Sequence, residues 1–313
     1  MKKYIILFGM LGSIVYGYED LGFPSPELEK GVSGISVDTN YKVINSDESL
    51  ADFQKDIYRV IKNNNENLFE VLSTNTYDSD YLFNVNVGYL KGETLKTPNV
   101  SATFGTNLDE ETRAGLNFTY NDFEGNYNQL KTTGNGYQLN LFHQKSFADE
   151  TVMTTIYAGT LDTETKNSKE KIDNTYWGIH TRYEYLEESY NELFKGYRVD
   201  IEGKQLRQKE KSQKNTNDSV KASLKGIVKK NIEIMDNQQL TLEVISGYER
   251  EFMDKRVYEN VMNDDFKDSL ALEAKVSYKY KEMVSTYISL EGRKSLNTSN
   301  TESVVSIGIK YNF

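Results

Sequence analysis

The sequence predicts an all-β fold, a transmembrane antiparallel β-barrel of about twelve strands, with an N-terminal α-helix placed to occupy its lumen. Three observations carry that reading. From Tyr81 to Phe313 apolar residues recur with period two, and the apolar side of every clear strand is free of Asp, Glu, Lys and Arg. A lipid-facing stripe has to be clean, because a Lys or Arg at mid-bilayer costs roughly 2–4 kcal/mol. The opposite sides carry charges of both signs, as a wet or plugged lumen does. The connections alternate in length, long near 92–99, 121–136, 161–174, 205–218, 252–267 and 295–301, short near 109–111, 146–150, 187–192, 235–239 and 281–283. Short periplasmic turns and long outer loops are the habit of bacterial outer-membrane barrels. A soluble sandwich explains the alternation alone; it explains neither the clean stripe nor the paired loop lengths.

The 313 residues carry a net charge of −10 at a mean hydropathy of −0.65. A barrel strand needs only every second residue apolar, whereas a spanning helix needs about 20 in a row. Beyond the first residues no such run exists. The acidic balance argues against a nucleic-acid partner, which calls for a basic footprint. The stretch 1–17 reads as a signal peptide for the secretion translocon: Lys2 and Lys3 precede an apolar run, and Val15 and Gly17 are small enough for a cleavage site before Tyr18. With no cysteine, disulfides and cysteine metal sites are excluded, and no cofactor is expected.

Residues 18–45, with Pro24, Pro26 and several glycines, read as a linker or short tail. The domain proper spans 46–313 and opens with a helix over 46–73. There Leu50, Phe53, Ile57, Val60, Ile61, Leu68, Val71 and Leu72 recur at helical spacing, and Asp47 and Glu48 suit a helix N-terminus. Asn63-Asn64-Asn65 interrupts the stripe and marks the place for a break or polar kink.

The strands follow. Phe83, Val85, Val87 and Tyr89 open the series, and Leu116, Phe118 and Tyr120 continue it. Trp177, Ile179 and Tyr183 face away from His180, Arg182 and Glu184; Tyr197, Val199 and Ile201 face away from Arg198, Asp200 and Glu202. Leu242, Val244 and Tyr248 oppose Glu243 and Glu249, Leu272, Ala274 and Val276 oppose Glu273 and Lys275, and Ile288 and Leu290 oppose Glu291 and Arg293. Weaker alternation in 100–108, 137–142, 151–159 and 220–228 completes about twelve. In the last strand Ile307, Ile309, Tyr311 and Phe313 alternate with Gly308, Lys310 and Asn312.

The helix at 46–73, the twelve strands, the stretch Gly247-Tyr248-Glu249-Arg250-Glu251-Phe252 and the ending Ile307-Gly308-Ile309-Lys310-Tyr311-Asn312-Phe313 resemble the translocator β-domain of autotransporters. The resemblance covers about 46–313. It implies a non-enzymatic barrel in the cell outer membrane that secretes or displays what precedes its helix, with outer-membrane lipid around it. It also implies that Ile307, Ile309, Tyr311 and Phe313 form the signal read by the barrel-assembly machinery. This chain departs from the family in one respect, because only 18–45 precedes the helix, far short of a β-helical passenger. A passive porin-like channel and an outer-membrane hydrolase are the competing expectations.

The inward charges Arg182, Glu184, Arg198, Glu202, Glu243, Glu249, Glu291 and Arg293 are the candidate functional set. A buried charge needs a partner, so pairing across the lumen or with the helix is the default, and an ion path is the sharper alternative. Only His143 and His180 could serve a hydrolase. His143 falls on the apolar side and His180 among lumen charges, where hydrogen bonding is the simpler role. The triple asparagine resembles the pair at which some autotransporters cut themselves, a chemistry that requires an acid on the lumen wall. Lys209, Lys211 and Lys214 make a basic patch suited to a solvated loop.

Overall fold

In the computed structural model the described residues are 47–74, 80–127, 130–166, 171–210, 213–255, 267–281 and 283–312. The signal 1–17, the segment 18–45, Lys211 and Phe313 lie outside them. A single helix, α1 (Asp47–Thr74), is followed by twelve strands. These are β1 (Tyr81–Lys91), β2 (Leu95–Asn107), β3 (Thr112–Tyr127), β4 (Leu130–Phe147), β5 (Glu150–Thr165) and β6 (Lys171–Tyr190). The remainder are β7 (Leu193–Glu210), β8 (Gln213–Met235), β9 (Gln238–Lys255), β10 (Asp268–Tyr280), β11 (Val284–Ser295) and β12 (Thr301–Asn312). Each pairs antiparallel with its sequence neighbours, and β1 closes on β12 from Asn84↔Asn312 to Lys91↔Val305. Closure leaves no edge unpaired, which a sheet in hydrocarbon requires.

The long connections predicted from sequence are mostly strand. Hairpin β3–β4 stays paired to Tyr127↔Leu130 and β7–β8 to Glu210↔Gln213, while β1 and β2 are joined through 92–94 alone. Residues 256–266 are outside the described set, and 296–300 is a true loop. The reason is physical. Beyond the bilayer the outer face meets water while inward Phe123 and Tyr127 pack on α1, so outward Asp122, Glu124 and Asn126 end the lipid-facing apolar stripe while the hydrogen-bond ladder continues. The wall is therefore tall at β3–β9, with strands such as the 23-residue β8, and low at β10–β12, β1 and β2. The opposite ends carry the short turns. In one, Asn191 (φ 51) and Glu192 (φ 59) supply the two positive angles of a tight hairpin. In another the Glu111 N–H donates to Asp109 Oδ1 (2.9 Å), which holds that exposed carboxyl below the usual carboxylate range.

The outer face bears Val87, Leu116, Leu139, Leu141, Ile156, Ile179 and Val244, all exposed. Aromatic residues flank this band. Tyr120, Tyr137 and Trp177 lie toward the tall end, with Tyr120 and Tyr137 rings 5.3 Å apart; Phe147, Tyr183, Tyr185 and Tyr197 lie toward the short-turn end. An apolar belt edged by aromatic girdles is the surface of a barrel in lipid. Leu141, 57% exposed and paired with Leu116 and Ile156 at mid-strand, tests it. Leu141→Arg should lower unfolding stability in liposomes by about 2–4 kcal/mol, whereas Asp122→Arg on the projecting hairpin should be nearly neutral. Equal effects in urea titrations would contradict a membrane-embedded belt.

Candidate functional site

α1 lies in the lumen and runs unbroken through Asn63-Asn64-Asn65, contrary to the expected break. The asparagines are held by the wall instead. Asn64 Nδ2 donates to Gln138 Oε1 (3.0 Å), Gln138 Nε2 donates to Asn65 Oδ1 (2.8 Å), and Ser306 Oγ donates to Asn63 Oδ1 (3.3 Å). From Gln138 the amide chain continues through Asn140 to Asn117 and Thr103. Side chains that would otherwise compete with the helix backbone are thus occupied outward.

Two apolar clusters clamp the helix. Near its start Phe53, Ile57, Val60 and Ile61 share a cluster with Leu90, Leu95, Phe123, Tyr127, Leu161, Ile172 and Leu206, and the Phe53 ring meets Phe123 at 5.9 Å and Tyr127 at 5.7 Å, edge-on. Near its end Leu68, Phe69, Val71 and Leu72 join Leu82, Phe142 and Met153, and Gln144 Nε2 donates to the Leu72 carbonyl (3.1 Å). Room comes from glycines. Tyr157 lies across Gly178 and Tyr176 across Gly159, where an added Cβ would come within 2.5 Å of each phenol oxygen.

α1 has a direction in the lumen. Its first turns contact the tall end, where Thr94 Oγ1 and Tyr127 Oη (2.8 Å) both donate to Asp56 Oδ2. Its last turns reach the short-turn end, where β1 begins. The opposite flank carries Lys55, Arg59, Lys62, Glu66 and Glu70 in one stripe, each ion-paired to the wall. Beside that stripe a cavity of about 520 Å³ separates α1 from β8–β12.

A closed twelve-strand barrel with a helix through it has solved counterparts. The β-domain of the Bordetella autotransporter BrkA matches at a TM-score of 0.53 and 12% identity, over 74% of this chain and 99% of that one. The translocator domain of autotransporter NalP from Neisseria meningitidis matches at 0.54 and 11%, over 82% and 97%. The fold is that of an autotransporter translocator domain. No family model matches the sequence, and no curated protein matches it. The chain is an outer-membrane β-barrel, and the apolar belt agrees with that location.

Inside the barrel the structure places all eight candidate charges on the inner wall. Arg182 Nη2 donates to Glu66 (2.6 Å) and Nε to Asp200 (2.7 Å), with its guanidinium 4.7 Å from the Phe69 ring centre. Arg198 grips Glu184 (2.8 Å); Glu202 accepts from Lys204 (2.7 Å) and Tyr157 (2.8 Å). Glu249 is held by Arg293 (2.8 Å), Lys225 (2.7 Å) and Lys221; Glu291 meets Lys62, and Glu243 stands 3.9 Å from Lys275. Ile307 and Ile309 pair with Tyr89 and Val87 of β1, and Tyr311 with Val85, so these residues also form the closing seam.

Sequence reasoning missed Glu302, which binds Arg59 and Arg293, and the inward apolar residues Phe123, Leu161, Ile172 and Leu206. The latter had a signal, because an apolar helix stripe enclosed in a barrel requires an apolar partner on its wall. His180 Nε2 lies 3.1 Å from Asp200 Oδ1, but Ser223 Oγ donates to Asp200 Oδ2 (3.1 Å) rather than to the imidazole, so this trio has the wrong order for a nucleophile and its base. His143 faces outward. Among the described residues no group of three or more His, Asp or Glu is set to hold a metal ion. Lys209 lies in β7, not a loop, because the hairpin extends to Glu210.

Proposed function

We propose that the translocator barrel carries the segment preceding Asp47 across the outer membrane, displays it at the cell surface, and keeps α1 as a plug, with no catalytic step. The direction of α1 carries this reading. Its C-terminal end returns to β1 at the short-turn, periplasmic rim. Its N-terminal end sits among the tall hairpins, so the chain before Asp47 joins the helix at the outer rim. The names of the similar domains support the same role. Clamping by two apolar clusters and by ion pairs from five helix residues supports a resident helix rather than an open pore, and the Ser223–Asp200 bond gives a hydrolase no support. The terminal alternation through Tyr311 and Phe313 is proposed as the contact for the barrel-assembly machinery.

An epitope inserted at Gly31 tests the reading. Intact cells should bind antibody and lose the epitope to added protease. Labelling only after the outer membrane is permeabilised would place the segment in the periplasm and refute surface display.

A further inference from the structure

The cavity beside α1 is not sealed uniformly. At the short-turn rim it is lined by Asp149, Phe194, Gln239 and Lys279, with Asp149 in solvent. It follows the polar stripe of the helix to Arg59 and Glu302. There the wall is low. Arg59 lies beside Gly92 of the three-residue β1–β2 connection, and Glu302 is the second residue of β12 after the loop at 296–300. Glu302 receives three cations, Arg59 Nη2 (2.6 Å), Arg293 Nη1 (2.7 Å) and Lys55 Nζ (3.1 Å). Its side chain is 4% exposed, whereas that of Lys55 is 29% exposed. One carboxylate thus stands between the cavity on one side and a solvent-facing lysine on the other. On the remaining flanks the helix meets β1–β5 through packed apolar and amide side chains.

We propose that the lumen holds a narrow aqueous path for small inorganic ions beside the helix, and that Glu302 with its bound cations is the gate at its outer end. The path runs from the short-turn rim along the helix and ends at Glu302. Charged side chains at a constriction govern which ions pass it, and here the contact of Glu302 with its three cations fills the opening. The inference needs α1 in the lumen but not the secretion role, so either can fail without the other.

Single-channel recording of the full chain in planar bilayers with potassium chloride tests it. Glu302→Ala should raise conductance roughly threefold or more, as a charged constriction becomes a wetted one, while staying below the level of a chain lacking 47–74. Asp149→Asn, at the open rim, should not raise it. Glu302→Gln, which keeps the shape and removes the charge that holds the three cations, should raise conductance as well. Unchanged conductance in Glu302→Ala overturns the gate, as does an equal rise in Asp149→Asn. A rise to the helix-deleted level also overturns it, because Glu302 would then anchor the plug instead. Should Glu302→Ala fail to form a barrel, Glu302→Gln decides: a rise that stays below the helix-deleted level supports the gate and unchanged conductance removes it.

Discussion

Ile57→Asp is expected to expel α1 from the lumen and leave the barrel closed. Ile57 is fully buried in the outer apolar cluster with Phe53, Phe123, Tyr127 and Leu206. Its removal forfeits about 1.5–3 kcal/mol of apolar burial, and the new carboxylate would stand among apolar side chains. The neighbouring Asp56 already takes Arg59, Thr94 and Tyr127. An unpaired buried charge adds several kcal/mol more. The helix has nothing comparable to a strand ladder holding it in place, whereas each strand of the wall is bonded on both sides. The cost therefore falls on the docking of α1. Conductance should rise to that of the chain lacking 47–74, and the helix should become sensitive to protease in micelles. A variant that conducts like the parent would show that the outer cluster does not hold the plug.

Arg182→Ala should be the most damaging single change on the inner wall. The guanidinium is buried, bonds Asp200 and Glu66 and covers the Phe69 ring. Its loss leaves two carboxylates short of a cation; breaking a buried pair typically costs about 3–5 kcal/mol, with the larger share here on the more deeply buried Asp200 and the smaller on Glu66, which borders the cavity. Asp200 keeps His180 and Ser223, but no other ion pair is seen for Glu66 among the described residues. The denaturant midpoint in micelles should fall accordingly. Adding Glu66→Gln to Arg182→Ala should recover part of the loss, because one stranded charge disappears. If the double variant is less stable than Arg182→Ala by the full effect of Glu66→Gln in the parent, the two residues are not coupled and the bridge contributes little.

The sequence by itself determined whatever depends on local period and medium. Wherever one face met lipid, the stripe from Phe83 to Tyr311 was legible. The helix was legible because Phe53, Ile57, Val60, Leu68 and Leu72 obey their own period whatever surrounds them. Only the tertiary structure decided the rest. The height of the wall escaped the pattern, because beyond the bilayer the outward side chains meet water and turn polar, as at Asp122, Glu124 and Asn126, while the inward ones pack on α1. The unbroken passage of α1 through three asparagines depends on Gln138, some 73 residues away, and the outer gate on Arg59 meeting Glu302 across a separation of 243. Such partners are brought together by barrel closure, and closure is a property of twelve registers acting at once rather than of any single segment.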